Sequence, residues 1–276
     1  MDCRSPALDI AAYLRRVGYD GPLEPGLETL SGLHFSHALA IPFENLDPLT
    51  GRPVRLDIAA LQQKLLHENR GGYCFEQNLL FMEVLRALGF TVSGLAARVL
   101  WNLPEDAVTP TSHMLLRIDM GDGIRIADVG FGGLTLTAPL RLEAGLEQKT
   151  PHETFRLDRE GDDWRMRAQV GGAWRTVYRF GMEERFQVDY EVSNYFTSTN
   201  PESHFLHSLI AARPNREGRL ALLNRRLSIY PGDGRAAESR GLASLGEIET
   251  VLGEAFGIRI PDRTALDQAL RREAII

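Results

Sequence analysis

Apolar residues in the first part of the chain recur with the spacing of amphipathic helices. Ser5 and Pro6 are typical of the cap and first position of a helix, which Gly18 is expected to end. A second helix is predicted over Leu27–Ala40, because the same apolar spacing returns there and Pro42 stops it. This part of the chain is therefore predicted to form a bundle of packed helices.

A longer and more apolar helix is predicted after the sequence RGGYC. Asp57 is a suitable N-cap for a preceding helix over residues 58–66. The run FEQNLLFMEVLRAL then carries apolar residues on most sides, which is typical of a helix that is buried all round. Gly89 fits the position after its last turn, so Cys74 is expected at the start of a central helix.

From Thr91 onward the pattern changes to short β-prone runs separated by turn residues, which predicts an antiparallel sheet or barrel. Helical and strand patterns mix after Glu183. The fold class predicted is α+β, with helices over residues 1–90, a β-barrel-like part over 91–200 and a smaller α/β part over 201–276. The β-prone runs are TVSGLAARVLW, HMLLRIDM, IRIADVGF, ETFRLDRE, DWRMRAQV and AWRTVYRF.

Charge and cysteine content narrow the class of protein. The chain of 276 residues has a net charge of -6 and an isoelectric point near 5.7, which argues against the basic face of a nucleic-acid-binding protein. Its two cysteines, Cys3 and Cys74, are too few for a disulfide framework and suit a reducing compartment. The first residues lack the apolar core of a signal peptide, and no run approaches the roughly 20 apolar residues of a membrane span. We therefore expect a cytoplasmic protein with no nucleic-acid or membrane partner.

Cys74 is the first candidate for chemistry, because a thiol at a helix N-terminus lies at the positive end of the helix dipole. His113 opens a predicted strand, from which its ring can act as a base toward that thiol. Asp128 lies within an apolar β-run, where a carboxylate is costly to bury without a partner. Pairing of the two runs about the turn at residues 121–123 brings His113 and Asp128 to the same end of one hairpin. The three residues are therefore candidates for a catalytic triad.

Each of these residues also has a purely structural explanation. Cysteine is among the residues most often buried, and one histidine among seven is commonly a core or surface residue. Asp128 is also suited to capping the turn at Gly130. The combination of all three in one chain favours the catalytic interpretation.

Several motifs resemble the arylamine N-acetyltransferase family. The most specific is RGGYCFEQN, and IPFENL at 41–46, DVGFG at 128–132 and NYFTSTNPESHF at 194–205 accompany it in the order found in the family. The resemblance spans about residues 5–205. It implies a cysteine-protease-like Cys-His-Asp core at Cys74, His113 and Asp128. It also implies a helical bundle, a β-barrel-like domain and an α/β lid.

The resemblance implies an activity as well. An acetyl group from acetyl-coenzyme A would pass to an arylamine or hydrazine through a thioester on Cys74, in a ping-pong mechanism that suits a sulfur nucleophile. The backbone N–H of Cys74 is expected to stabilise the oxyanion of each step. The motif positions assigned to an apolar acceptor pocket are Phe43, Val99, Phe131 and Phe205, and those assigned to the coenzyme are Ser112, Gly130 and Gly132.

Arg70 and Glu44 flank these motifs, and a charge buried without a partner is strongly destabilising. We therefore predict a buried Arg70–Glu44 ion pair that fixes the nucleophile loop, the alternative being two solvated charges. No metal site is expected, because the CxxC and HExxH patterns are missing and His34 and His37 lack a convincing set of further ligands.

Other functions remain open at this stage. A cysteine peptidase or transglutaminase would use the same order of Cys, His and Asp, although IPFENL and DVGFG argue against it. An amide synthase of the same fold would use the same triad with a carrier-bound acyl donor. A non-catalytic binding module would have no chemical need for all three residues. The preferred amine, the physiological role and the choice between monomer and homodimer are also left open.

Overall fold

The computed structural model describes residues 8–232 and 235–276. Wider π-helical turns at Gln63–His67 and Val251–Ala255 continue the fourth and eighth helices. Within the described residues the α-helices are α1 (Ile10–Val17), α2 (Leu27–Ala40), α3 (Leu46–Leu49), α4 (Ile58–Gln62), α5 (Cys74–Ala87), α6 (Gln187–Thr199), α7 (His204–His207), α8 (Leu245–Thr250) and α9 (Arg263–Arg272).

The strands form two antiparallel sheets. They are β1 (Phe43–Glu44), β2 (Thr91–Val99), β3 (Thr111–Met120), β4 (Gly123–Ala127), β5 (Leu140–Arg141), β6 (Glu147–Lys149), β7 (Thr154–Glu160), β8 (Asp163–Val170), β9 (Ala173–Phe180), β10 (Ile210–Asn215), β11 (Gly218–Leu223), β12 (Arg226–Pro231) and β13 (Glu238–Gly241).

The start of the first helix differs from the prediction. Ser5 and Pro6, expected as its cap and first residue, lie outside the described residues, and α1 begins at Ile10. Asp9 Oδ1 accepts the backbone N–H of Ala12 at 2.8 Å. A carboxylate at this position satisfies a free N–H of the first turn and complements the helix dipole, so Asp9 is the cap.

The other helix ends that the sequence predicts are present. α2 spans Leu27–Ala40, and α5 begins at Cys74. Asp57 Oδ1 accepts the backbone N–H of Ala60 at 3.0 Å and caps α4. These agreements follow from local chemistry, since caps and apolar spacing act within one or two turns.

The larger sheet has eight strands in the order β5-β4-β3-β2-β9-β8-β7-β6. Its two edge strands are joined by the side chain of Gln148, which accepts the Arg141 N–H at 2.7 Å and donates to the Arg141 carbonyl at 2.9 Å. The sheet is therefore nearly closed, and the prediction of an antiparallel barrel-like fold is confirmed. The sequence did not reveal β5 and β6, which are too short to show a period.

Successive side chains of β3 point to opposite faces, so this strand packs on the barrel interior with one face and on the helices with the other. Leu115 points into the barrel interior, whereas Met114 and Leu116 pack in the core cluster that includes α5. Phe81 and Leu85 of α5 are fully buried in the same cluster. The helix that begins with Cys74 therefore lies against the strand that carries His113.

The smaller sheet has five strands in the order β1-β10-β11-β12-β13, with α8 and α9 packed in the same core cluster. Its first strand comes from the N-terminal part of the chain, since Phe43 pairs with Ala212 and Glu44 with Ala211. Residues from the predicted parts 1–90 and 201–276 thus share one sheet. The boundaries of those three parts stay a prediction.

Asn45 strengthens this junction. Its buried side-chain amide donates to the carbonyls of Phe205 at 2.9 Å and Ser208 at 2.7 Å, and its Oδ1 accepts the Ile210 N–H at 2.8 Å. One side chain therefore satisfies three backbone groups that are more than 150 residues distant in sequence.

Replacing Asn45 by Ala should lower the free energy of unfolding by about 3 kcal/mol, because backbone groups in this buried junction lose their partner. Asn200→Ala is the matched control, since Asn200 Oδ1 makes one exposed contact of 3.3 Å with the Glu202 N–H. That change should cost about 0.5 kcal/mol or less. Urea unfolding followed by circular dichroism measures both, and equal losses in the two variants would contradict the role of Asn45.

Candidate active site

Cys74 is the first residue of α5, and the residues that cap this helix, Tyr73 and Glu76, lie on either side of it in the sequence. The backbone N–H of Tyr73 donates to Glu76 Oε2 at 3.0 Å. The third residue of α5 therefore caps the start of its own helix. The Cys74 side chain is buried, and its Sγ lies 3.7 Å from the carbonyl oxygen of Ser112. The thiol therefore faces the start of β3 at the positive end of the helix dipole.

His113 and Asp128 meet as the hairpin predicts. Pairing of β3 with β4 runs from Met120 opposite Gly123 to Leu116 opposite Ala127, and Asp128 follows directly. His113 Nε2 lies 2.7 Å from Asp128 Oδ2, and both side chains are buried. The carboxylate leaves the other ring nitrogen of His113 available to the thiol.

The Asp128 carboxylate accepts hydrogen bonds from two side chains that the sequence did not reveal, and from the Gly130 N–H, the turn contact that the sequence suggested for this aspartate. Asn78 Nδ2 donates to Oδ1 at 3.0 Å, and the Tyr178 hydroxyl donates to Oδ2 at 3.1 Å. The Gly130 N–H donates to Oδ1 at 2.9 Å. Asn78 lies four residues after Cys74, one helical turn along the same face, and that spacing was an available signal. Tyr178 lies on β9, and no local pattern connects it with the site.

These contacts set the charges of the pair. Burial by itself would raise the pKa of Asp128, but His113, Asn78 and the Gly130 N–H stabilise the carboxylate and lower it. Burial would lower the pKa of His113, but the Asp128 charge and hydrogen bonding to Asp128 and Cys74 outweigh it and raise the pKa to about 10. The ring is therefore held as an imidazolium beside the thiol at neutral pH.

The predicted Arg70–Glu44 pair is present, and it belongs to a larger buried group of charges. Arg70 Nε lies 2.7 Å from Glu44 Oε1, and its Nη2 lies 3.0 Å from Asp47 Oδ1. Lys64 Nζ lies 2.6 Å from Asp47 Oδ2 and 2.6 Å from Glu76 Oε1. Opposite charges thus alternate from Glu44 to Glu76, where the series reaches the cap of α5.

The pKa values of two carboxyl groups in this set of charges shift in opposite directions. Burial and the Asp47 charge raise the pKa of Glu76 to about 7, although Lys64 opposes them. Burial also acts to raise the pKa of Asp47, but Lys64 and Arg70 outweigh it and lower that pKa. Removal of one member would leave uncompensated charge inside the protein, so the group constrains the loop that precedes Cys74.

Gly130 lies where no side chain fits. A Cβ atom at this residue would stand 2.7 Å from Cys74 Cα and 2.9 Å from Asn78 Nδ2. The loop after Asp128 therefore rests directly on the backbone of the nucleophile. This contact explains the glycine without reference to any ligand.

The aromatic residues assigned to the acceptor pocket fall into two sets, one in contact with Tyr73 and one with His113. The Phe43 and Phe205 rings lie 6.2 Å apart, and Phe205 makes an edge contact of 5.6 Å with Tyr73, next to Cys74. Phe131 makes an edge contact of 5.2 Å with the His113 ring.

Val99, the fourth residue assigned to the pocket, lies near the same group through its strand partner. It pairs with Tyr178 across β2 and β9, and the Tyr178 ring lies 5.0 Å from His113 and 5.5 Å from Phe131. Of the four assigned residues, Phe131 contacts a triad candidate directly, and the pocket itself stays a prediction.

The residues assigned to the coenzyme also lie at the site. The Ser112 carbonyl accepts from the Cys74 thiol. Gly132 packs against Phe43, and a Cβ atom on Gly132 would stand 3.2 Å from the Phe43 ring.

In residues 8–232 and 235–276, no helix has the length and apolar content to cross a bilayer. The same residues contain no group of three or more His, Cys, Asp and Glu side chains placed to hold a metal ion.

Comparison with known proteins places this arrangement in a family. A family model described as N-acetyltransferase matches residues 26–265. The arylamine N-acetyltransferase of Escherichia coli K12 is 42% identical, over 91% of this chain and 89% of the relative. That of Mycolicibacterium smegmatis is 42% identical, over 96% of this chain and 97% of the relative.

Solved structures give the same result. The structure of Mycobacterium marinum arylamine N-acetyltransferase in complex with CoA superimposes with a TM-score of 0.92 and 40% sequence identity, covering 96% of this chain and 99% of that chain. The chain described here therefore belongs to the arylamine N-acetyltransferase family.

Replacing Gly130 by Ala should displace the start of α5, because the new methyl group meets backbone that cannot move aside. We expect a loss of about 1–3 kcal/mol in unfolding free energy. Alkylation of Cys74 by iodoacetamide should slow at least tenfold. Gly133→Ala is the matched control, since a Cβ there meets nothing within 4 Å. Unchanged alkylation in Gly130→Ala would mean that the contact does not position the thiol.

The pKa of His113 predicts the charge of its ring. A histidine whose pKa rises from about 6.5 to about 10 on folding keeps its charge throughout the neutral range and loses it only near the upper value. The imidazole NMR signals of His113 should therefore remain those of a charged ring throughout the neutral range. Asp128→Asn should lower that pKa, because the carboxylate charge that raises it is lost. Titration of the wild-type ring near 6.5 would refute the imidazolium.

Proposed function

We propose that this protein transfers an acetyl group from acetyl-coenzyme A to an arylamine or hydrazine through a thioester on Cys74. The observation that carries the proposal is the Cys74, His113 and Asp128 arrangement, in which His113 Nε2 lies 2.7 Å from Asp128 Oδ2 and the Cys74 Sγ lies 3.7 Å from the carbonyl of Ser112, the residue before His113. Membership of the family supports the choice of donor and acceptor, because the solved structure of one relative is a complex with CoA and the relatives are named for arylamines.

In the first half-reaction, the Cys74 thiolate attacks the carbonyl carbon of the acetyl thioester. A bond forms between Sγ and that carbon, and the bond to the coenzyme sulfur breaks. The leaving sulfur takes the proton that His113 carries, so the coenzyme departs as a thiol. We expect the N–H of Cys74 at the start of α5 to stabilise the oxyanion.

In the second half-reaction, the amine nitrogen attacks the acetyl group on Cys74. His113, neutral after the first step, accepts the proton that the nitrogen loses, and the thiolate of Cys74 leaves. This returns the imidazolium–thiolate pair to its starting state. Asp128 holds the ring in one orientation and stabilises its charge through both steps.

The aromatic side chains around the thiol suit a flat acceptor. Phe43 and Phe205 on one side and Phe131 on the other offer apolar surface next to the acetyl group. Flat aromatic amines gain contact area in such a pocket without burying polar groups that lack partners. We further propose a cytoplasmic location, which the small number of cysteines supports.

The test is to mix the purified protein with acetyl-CoA without an amine, record the intact mass, and map the adduct. We expect one acetyl group on Cys74, absent in Cys74→Ala and discharged when an arylamine or hydrazine is added. Absence of an adduct while Cys74 still reacts quickly with iodoacetamide would reject acetyl-CoA as the donor. Carrier-bound acyl groups, the donors of an amide synthase, would be tested next.

A further inference from the structure

A second cavity lies on the outer face of the barrel, between β2, β9 and the segment that precedes α6. Its volume is about 220 Å³, and its lining includes Arg98, Thr111, Arg179 and Arg185. Arg98 follows Ala97, which pairs with His113. Because neighbouring residues of a strand point to opposite faces, the cavity is separate from the interior where the His113 ring lies.

Two of these arginines oppose each other. Arg98 on β2 and Arg179 on β9 are direct cross-strand partners, a position in which like charges are destabilising. The Arg98 guanidinium donates to the backbone carbonyl of Thr109, which carries no charge to balance it. In the described part of the chain, no acceptor meets the Arg179 guanidinium.

Two neighbouring arginines of the barrel have carboxylate partners. Arg165, the partner of Arg179 on the next strand, binds Glu105 at 3.0 Å. Arg167 binds Glu105 at 2.5 Å and Asp158 at 2.7 Å. Arg165 and Arg167 are thus neutralised by carboxylates, whereas within the described residues no carboxylate is paired with Arg98 or Arg179.

A third cation and two carboxylates complete the lining. Arg185 is fixed by its backbone N–H, which donates to the Gly94 carbonyl at 2.9 Å, and its side chain pairs with Glu183 at 2.6 Å. Glu183 is 75% exposed, and Asp163 is exposed as well. Positive charge therefore dominates the half-buried walls, and the negative groups lie in contact with solvent.

The cavity is connected with the nucleophile through the start of β3. The pairing of β2 with β3 shifts between Ala97 and Arg98, and such irregularities redirect side chains next to functional sites. Thr111 lines the cavity, and the following residue, Ser112, places its carbonyl 3.7 Å from Cys74 Sγ. A long ligand with its reactive end at Cys74 can therefore extend along this strand end into the cavity.

We propose that this cavity is a phosphate-binding subsite in which Arg98 and Arg179 clamp a phosphate group, with Arg185 and the Thr111 hydroxyl beside it. Guanidinium groups bind phosphate through paired, charge-assisted hydrogen bonds, and the bound anion would remove the repulsion between Arg98 and Arg179. Building on the proposed function, the phosphate is one carried by the acyl donor. A free phosphate ion has the same chemistry, so the test separates the two sources.

The test uses Arg179→Gln, Arg98→Gln and the double variant. Arg117→Gln, which removes an exposed cation paired with Asp119 on β3, is the matched control. Binding of inorganic phosphate is measured by calorimetry at low salt. The KM for acetyl-CoA is compared with that for acetyl-pantetheine, a thioester without phosphate. Acetylation of Cys74 by acetyl-pantetheine reports on the proposed function independently of the subsite.

We expect Arg179→Gln to raise the KM for acetyl-CoA about tenfold, with kcat and the KM for acetyl-pantetheine unchanged, because it removes one charge-assisted contact. Loss of inorganic phosphate binding with an unchanged KM for acetyl-CoA would support the subsite and assign it to a free phosphate ion. Unchanged phosphate binding and unchanged KM in the folded Arg179→Gln variant would overturn the proposal, even if Cys74 is acetylated normally.

Discussion

The burial of the Asp128 carboxylate is the constraint on which the arrangement of this molecule depends. Its oxygens are satisfied by groups from separate parts of the fold, namely His113 on β3, Asn78 on α5 and Tyr178 on β9. A carboxylate in this position without those donors would be strongly destabilising, so helix and barrel must dock where all of them converge. The same docking places Cys74, one turn before Asn78, against the start of β3.

A second set of buried polar side chains contacts the same helix at Glu76. The alternating charges from Glu44 to Glu76 connect strand β1, helix α3, the turn after α4 and the cap of α5. The central helix is thus fixed by polar contacts at its N-terminal end, while apolar packing surrounds the rest of it. This combination leaves the thiol little freedom, and a reacting group held in position requires less ordering in the transition state.

Much of the fold and the centre of the candidate site follow from short-range patterns. Apolar spacing and a proline stop gave the bounds of α2, and the glycines before Cys74 gave the start of α5. One tight turn between two β-runs brought His113 and Asp128 together, because a hairpin's register is set by its turn. The exception, at Ser5 and Pro6, shows the limit of such patterns, since Asp9 offers an equally good cap nearer the first buried turn.

The sequence alone therefore determined the fold class, the nucleophile helix, the hairpin and the expected Arg70–Glu44 pair, all through local periodicity, capping and the cost of lone charges. The tertiary structure alone decided that β2 lies between β3 and β9, which brings Tyr178 to Asp128 and sets Arg98 opposite Arg179. Strand neighbours so distant along the chain are selected by how whole elements pack, and no local pattern encodes that choice.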